Sequence, residues 1–227
     1  LGGNNASTVT TVTVGAGGLS LDGSILQLFR GTGAGNRVLL DGNVTVTGSS
    51  ASQISTAAGG FESAPTTIGL SSTTGSHVRT FTVNDVTGST AVDLTIAPVI
   101  ANGSATPGGL TKAGAGTLVF EAANTYTGST TVSAGTLTLA AAGSFASSPT
   151  ITVESGGVLG LTSKTASGFT FGSGQTLAGS GSVALPTSGP GVSLLGTLAP
   201  GGGAVGTLAF TGAGTLAIGS ATALQFG

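Results

Sequence analysis

The amino-acid sequence predicts an all-β fold, a β-solenoid in which about ten coils of roughly 20 residues stack in parallel. Three observations lead to this prediction. Glycine accounts for 43 of the 227 residues and charged residues for only 5%, and the residue types that favour helices are scarce. Short runs in which Thr alternates with Val or Leu are typical of strands with one buried face. The tripeptide Gly-Thr-Leu also returns at intervals close to one solenoid coil.

In the first part of the chain, the sequence predicts short strands separated by turns. Asp22-Gly23 and Asp41-Gly42 are strong turn dipeptides. Residues 48–65 contain few strand-forming residues and predict an irregular loop or a longer excursion. The predicted strands occupy residues 8–14, 19–21, 25–28, 38–40, 44–46, 67–70, 79–83, 91–96 and 99–100.

The second part of the chain carries the repeat. Residues 109–139 are its best-defined copy, and the chain is predicted to form a single continuous solenoid over residues 1–227. Val, Leu, Ile and Phe are expected to point inward, and Thr and Ser outward. Gly-Thr-Leu stands at 116–118, 135–137, 196–198, 206–208 and 214–216, with looser versions at 157–159 and 175–177. A second series lies between these positions, at Thr131-Val132, Thr152-Val153 and Ser182-Val183.

Candidate reactive side chains are few and scattered. His77 is the single histidine, and it could be combined with Asp85 or Asp93 and a serine, but no nucleophile-elbow motif is present. Asp85 and Asp93 could face one another on adjacent strands, although all seven carboxylates suit turns or outward positions better. These carboxylates are Asp22, Asp41, Glu62, Asp85, Asp93, Glu121 and Glu154. The sequence therefore predicts no catalytic, cofactor-binding or metal-binding residue, and a protein that is not an enzyme.

Charge and composition exclude several kinds of partner. Five basic residues are spread along a chain of net charge −2, so nucleic-acid binding has no electrostatic basis. No apolar run is long enough for a transmembrane helix. The sparse charge and the abundant Ser and Thr predict lateral or end-to-end self-association. Because the chain starts at Leu1 without a signal peptide, it is expected to be an excerpt of a larger protein.

One segment resembles a known family. Leu110 to Leu118 (LTKAGAGTL), Ala123 to Gly128 (ANTYTG) and Thr130 to Leu137 (TTVSAGTL) are similar to the passenger-associated β-strand repeat of autotransporters in Gram-negative bacteria. Lys112 and Glu121 could form an exposed ion pair, and Tyr126 suits packing into a corner better than stacking on a glycan. The residues assigned structural roles in the repeat are Gly114, Gly116, Thr117, Leu118, Asn124, Tyr126, Gly128, Gly135, Thr136 and Leu137.

The resemblance implies a fold, a location and a role. It implies a right-handed parallel β-helix that is exported to the outer surface of a Gram-negative bacterium or released from it. The implied role is that of a non-enzymatic structural rod or stalk, which self-association could extend into fibres. The alternative role is an adhesin that binds surface glycans or sister cells along one face of the solenoid.

Overall fold

A computed structural model describes residues 11–29, 37–57, 66–104 and 106–225. These residues contain 24 short strands and no helix. The first twelve strands are β1 Thr11–Val14, β2 Leu19–Asp22, β3 Ile25–Phe29, β4 Arg37–Leu40, β5 Val44–Thr47, β6 Ser52–Ala57, β7 Thr67–Gly69, β8 His77–Val83, β9 Val92–Ile96, β10 Val99–Ala101, β11 Gly108–Ala113 and β12 Thr117–Phe120. The others are β13 Thr130–Val132, β14 Gly135–Leu139, β15 Thr150–Val153, β16 Gly157–Gly160, β17 Phe169–Phe171, β18 Thr176–Gly179, β19 Ser182–Ala184, β20 Val192–Leu194, β21 Thr197–Pro200, β22 Ala209–Thr211, β23 Leu216–Ile218 and β24 Ala223–Leu224.

The strands stack in parallel on three sides of a solenoid. Sheet B has nine strands in the order β2-β5-β8-β11-β13-β15-β18-β21-β24, and sheet C has eight in the order β3-β6-β9-β12-β14-β16-β19-β22. A third side carries β1-β4-β7-β10 at one end and β17-β20-β23 at the other. The predicted parallel β-helix is therefore confirmed, with nine coils in the described residues, one for each strand of sheet B.

The interior is built from columns of apolar side chains that run from coil to coil. In sheet C, Leu94, Leu118, Leu137 and Leu159 pair in register and are fully buried. This arrangement follows from the strand periodicity, because alternate side chains point to opposite faces and parallel register places like positions above one another. The prediction that aliphatic residues point inward and threonines outward is confirmed for these strands, as in the half-buried Thr136 beside Leu137.

Coil length differs from the predicted 20 residues at several places. Leu110 pairs with Thr130, a step of 20 residues, but Val44 pairs with Phe81, a step of 37. Loops between strands account for the longer steps, since the stacked strands themselves keep their register. A coil can thus lengthen at its corners without disturbing the core.

The Gly-Thr-Leu series does not stay on one sheet. Thr117 pairs with Thr136 in sheet C, but Thr176 pairs with Thr150 and Thr197 in sheet B. Beyond β16 these motifs therefore lie on other sides of the solenoid. The reason is β17, which adds a strand to the third side and shifts the following motifs onto the next face.

Residues 48–65 contain a strand within the predicted irregular loop. Ser52–Ala57 forms β6, which pairs with β3 and β9 in sheet C. The sequence of β6 does not show the usual alternation of polar and apolar residues, because one of its buried residues, Ser52, is polar. Ile54 is buried on the same face. Residues 58–65 lie outside the described residues, and so does the candidate carboxylate Glu62.

Candidate functional site

The repeat segment forms one and a half coils, and its glycines lie where the backbones of successive coils approach most closely. Gly114 and Gly135 have φ angles of +78° and +63°, in the left-handed region that favours glycine. A Cβ on Gly135 would lie 2.5 Å from the Gly114 carbonyl oxygen and 2.6 Å from that of Gly116. Gly128 packs as closely, and its N–H donates to the Gly108 carbonyl at 2.7 Å. These glycines allow the corners of adjacent coils to stack.

Lys112 points into the solenoid. It is fully buried, in register between Phe81 and Val132 in the inward column of sheet B. Its Nζ donates to the carbonyl oxygens of Gly114 at 2.7 Å and of Ala113 and Ala134 at 3.0 Å. Burial lowers the pKa of Lys112 to about 8, and the charge of Asp93 opposes that shift.

The expected surface ion pair between Lys112 and Glu121 is wrong. The strand period places Lys112 on the same face as Leu110, which is also fully buried, whereas Glu121 is exposed. The ammonium supplies three donors to carbonyl groups of half-buried residues at the corner between sheets B and C. Lys112 therefore helps to hold adjacent coils of the repeat together.

Asp93 is buried at the same corner, with the opposite charge. The pairing of β9 with β12 shifts register between Thr117 and Leu118, so that Asp93 falls in a bulge. One carboxylate oxygen accepts from the N–H groups of Val86 and Thr87 at 2.9 and 3.0 Å. The other accepts from the Thr117 N–H at 2.7 Å. Asp93 thereby fixes the 84–91 loop to the start of β12.

The third side of the repeat coil has no strand, and two side chains take its place. The Asn124 side-chain oxygen accepts from the Ile100 N–H at 2.8 Å, and the Thr125 N–H donates to the Ile100 carbonyl at 2.8 Å. Tyr126 is fully buried, as predicted for a corner residue, and its hydroxyl lies 2.7 Å from the Thr130 hydroxyl. Burial raises the pKa of Tyr126, so the phenol stays neutral.

A second buried lysine repeats the arrangement of Lys112 in a later coil. Lys164 is 4% exposed, and its Nζ donates to the carbonyl oxygens of Ala141, at 2.8 Å, and of Gly143. The ammonium also lies 5.8 Å from the centre of the Phe169 ring, within range of a cation–π contact. Burial lowers the pKa of Lys164. Leu-Thr precedes both lysines, at residues 110–111 and 161–162, but Lys164 is one position further from it.

His77 lies in a polar cluster on the outside of the first coils. Its Nε2 is 3.1 Å from both the Thr73 hydroxyl and the Thr74 carbonyl oxygen. Asp41 accepts from the Ser72 N–H at 2.8 Å and from the Ser72 hydroxyl, and these bonds lower its pKa. No hydrogen bond joins His77 to Asp41, Asp85 or Asp93 in the part of the chain that the structure describes. The cluster ties loops together, and its histidine lacks the bond to a carboxylate that orients the base of a catalytic triad.

The candidate carboxylates do not converge. Asp93 is buried, whereas Asp85 is exposed and accepts from the Ser89 N–H at 3.2 Å, so the two serve separate loops. Asp22, Glu121 and Glu154 are exposed. Among the described residues, no three His, Cys, Asp or Glu side chains are grouped so that they could hold a metal ion. The described part of the chain also contains no helix long and apolar enough to cross a membrane.

Sequence reasoning missed the buried charges for two different reasons. Alternation along Leu110-Thr111-Lys112 could have predicted the burial of Lys112, because it places this side chain on the same face as the core residue Leu110. Alternation along Val92–Ile96 would place Asp93 outside, and only the bulge turns it inward. A bulge of this kind depends on pairing with a strand that lies about one coil away.

Comparison with known proteins identifies the repeat. Residues 110–139 match the family model of the passenger-associated-transport-repeat, which confirms the autotransporter passenger repeat in this segment. No curated protein matches the chain significantly, and no solved structure does so. The match begins within β11 and ends at β14, so it spans the coil that holds Lys112, Asn124 and Tyr126.

Proposed function

We propose that this chain is a non-enzymatic structural segment of an autotransporter-type passenger, exported to the surface of a Gram-negative bacterium or released from it. The observation that carries the proposal is the use made of polar groups inside the solenoid. Lys112, Asp93 and Tyr126 all bond to atoms of the same or a neighbouring coil. Groups engaged in this way hold coils together and are not available to a substrate. The mechanical role is that of a stiff spacer.

Stacking of interchangeable coils gives this role a direct test. Thr130 pairs with Ile151, so residues 130–150 make one complete coil, and this coil contains no charged residue. Insertion of a second copy of residues 130–150 after Thr150 adds one coil to the solenoid. Lys112 can still bond to Ala134 in the first copy, and Lys164 to the residue equivalent to Ala141 in the second. In a solenoid each coil contacts only its neighbours, so the longer protein is expected to unfold at the same urea concentration or a higher one.

A half-coil insertion is the matched control. A second copy of residues 130–139 after Leu139 forces the strands that follow onto the wrong faces, and it is expected to lower the urea midpoint and expose the chain to subtilisin. If the whole coil destabilises the protein as much as the half coil, the spacer proposal is wrong, since a spacer of stacked modules tolerates whole modules.

Self-association is part of the proposal. Large apolar side chains are exposed on the last described coils, where Leu195 is 44%, Ile218 54% and Leu224 51% accessible. The same is true of Val12 and Ile25 on the first described coil, at 54% and 68%. Ile218 and Leu224 are in register with the buried core residues Leu194 and Leu198, so a further coil, from the same chain or from a second copy, would cover them.

Glycan binding along one face is a second candidate role. The observation that favours it is a groove on the outer face of sheet B, lined by threonine, alanine and glycine. Such a role would make the segment an adhesin as well as a spacer.

A further inference from the structure

A groove of about 690 Å³ lies on the outer face of sheet B, over strands β15, β18 and β21. Its volume is in the range of small-molecule sites. Thr150, Thr152 and Thr176 line it together with Ala178 and Ala199. Gly202 and Gly203, in the turn that follows β21, form a wall, and Leu224 and Gln225 close one end.

The groove exists because one outward column changes residue type. The column reads Thr80, Thr111, Thr131, Thr152 in register from β8 to β15, and it continues as Ala178 and Ala199 in β18 and β21. Alanine lacks the hydroxyl and methyl groups that threonine projects from the sheet. Without these groups on two successive strands, the outer surface of the sheet is lower there and forms the floor of the groove. The turn at Gly202 and Gly203 borders this floor.

The wall leaves room for an approaching molecule. Gly201, Gly202 and Gly203 have φ angles of +77°, +62° and +102°, a run that residues with a Cβ adopt only with strain. A Cβ built on Gly203 would meet nothing within 4 Å, so the wall is open on this side. Backbone groups are therefore accessible to a ligand at this wall.

The hydroxyl groups of the groove are free to bind. Within the described residues, the side chains of Thr150, Thr152 and Thr176 make no hydrogen bond, and all three residues are half-buried. Each hydroxyl is both a donor and an acceptor. Thr150 and Thr176 are in register on neighbouring strands, which places their hydroxyls about 4.8 Å apart along the solenoid axis.

The chemistry of the lining selects the class of ligand. None of the residues that line the groove is charged, so it offers no counter-charge to a phosphate, a nucleic acid or an ionised peptide side chain. The strands of the floor already pair through their backbones with both neighbours, so an added peptide strand finds no open edge there. What remains is a set of neutral hydroxyls beside a small apolar floor. A neutral sugar has the same two surfaces, with hydroxyls at its rim and C–H groups on its faces.

We propose that this groove binds a linear, uncharged oligosaccharide, with the hydroxyls of Thr150, Thr152 and Thr176 bonded to the sugar above the floor that the nearly buried Ala178 and Ala199 form. The inference rests on the second candidate role, glycan binding, and does not depend on the spacer role. Contact along the axis spans three successive strands of sheet B.

The test measures binding of defined oligosaccharides by two-dimensional ¹H–¹⁵N NMR of the whole 227-residue chain. The probes are cellohexaose, mannohexaose and chitohexaose, with a galacturonic acid hexamer as the charged comparison. We expect at least one neutral probe to shift the amide resonances of β15, β18 and β21, and the charged hexamer to leave them unchanged.

Two double variants separate the groove from the rest of the sheet. Thr152→Val with Thr176→Val removes two lining hydroxyls at constant side-chain size, and it is expected to weaken binding about tenfold, as the loss of one or two hydrogen bonds implies. Thr111→Val with Thr131→Val changes the same kind of half-buried outward threonine outside the groove and is expected to bind like the wild type. Ala199→Gln, which fills the floor, is expected to abolish binding.

Each outcome decides the inference. If no neutral probe binds, both the groove and the glycan role are wrong, while the spacer role is untouched. If a probe binds but the two double variants weaken it equally, or Ala199→Gln leaves it unchanged, glycan binding is retained and the assignment to this groove is overturned. Binding of the charged hexamer alone also overturns the proposal.

Discussion

Lys112 and Asp93 show how a chain with 5% charged residues uses some of its few charges inside the core. Both side chains bond to backbone groups that lie at corners, where the strand ladders end and carbonyl and N–H groups lose their partners. A buried charge is costly unless it is fully hydrogen-bonded. Three acceptors for the ammonium and three donors for the carboxylate meet that condition, so the two charges specify which loop closes on which coil.

The lowered pKa of Lys112 predicts an unusual dependence of stability on pH. Between about pH 8 and its ordinary value of 10.5, the folded chain has lost the Lys112 proton while the unfolded chain retains it. Unfolding then takes up a proton, so the free energy of unfolding rises with pH in this window, by up to about 1.4 kcal/mol per pH unit. Lys164 acts in the same direction, whereas Tyr126, whose pKa is raised, opposes both once the unfolded phenol ionises above pH 10.

Urea unfolding from pH 8 to about 9.5 measures this slope, in a range chosen to avoid tyrosine ionisation. Lys112→Met is expected to reduce the slope, and Thr111→Val, an outward neighbour that does not titrate, is expected to preserve it. A slope that is the same in Lys112→Met and in the wild type would show that Lys112 keeps its proton throughout.

At the level of single elements, the corners matter more than the strands. Most strands have three to five residues, and many outward threonines are half-buried in similar surroundings. Corners differ, and they hold the glycines with left-handed backbones and the side chains that replace missing strands. A substitution at a stacked corner therefore acts on two coils at once.

Gly135→Ala tests this difference between corners and open turns. The variant places a Cβ in a left-handed backbone, which costs about 1–2 kcal/mol, and against two carbonyl oxygens of the preceding coil. We expect the free energy of unfolding to fall by more than about 2 kcal/mol in urea titrations. Gly174→Ala is the control, because its Cβ would meet nothing within 4 Å, and a change within about 0.5 kcal/mol is expected. Equal losses in the two variants would contradict close stacking at Gly135.

Over the whole molecule, one apolar core connects the coils from Leu21 to Leu208. Ion pairs contribute little to it, because the described residues contain one, between Arg79 and Asp41 at 3.9 Å. A rod held by backbone ladders and apolar columns is expected to keep its stability at high salt. Exposed apolar side chains lie on the first and last described coils and also on intermediate coils, at Val78 and Val92.

End-to-end association is expected to show as a rise in weight-average mass with concentration in multi-angle light scattering, and added salt is not expected to reverse it. Ile218→Lys places a charge on the last coil and is expected to reduce the association. Val78→Lys places a charge on an equally exposed position, 56% accessible, on the side of the solenoid, and is expected to leave it unchanged. A single monomer mass at every concentration would rule out the fibre.

The sequence by itself determined that the chain is a parallel β-solenoid and that residues 110–139 are a passenger-type repeat, because strand alternation, corner glycines and the 19-residue return of Gly-Thr-Leu are all local. It also placed Tyr126 in a corner. Tertiary structure alone decided the bulge that buries Asp93, the change of face after β16 and the groove over Ala178 and Ala199. Each of these depends on which residue lies one coil away. That distance varies from 19 to 42 residues with the length of the corners, so the local sequence does not specify it.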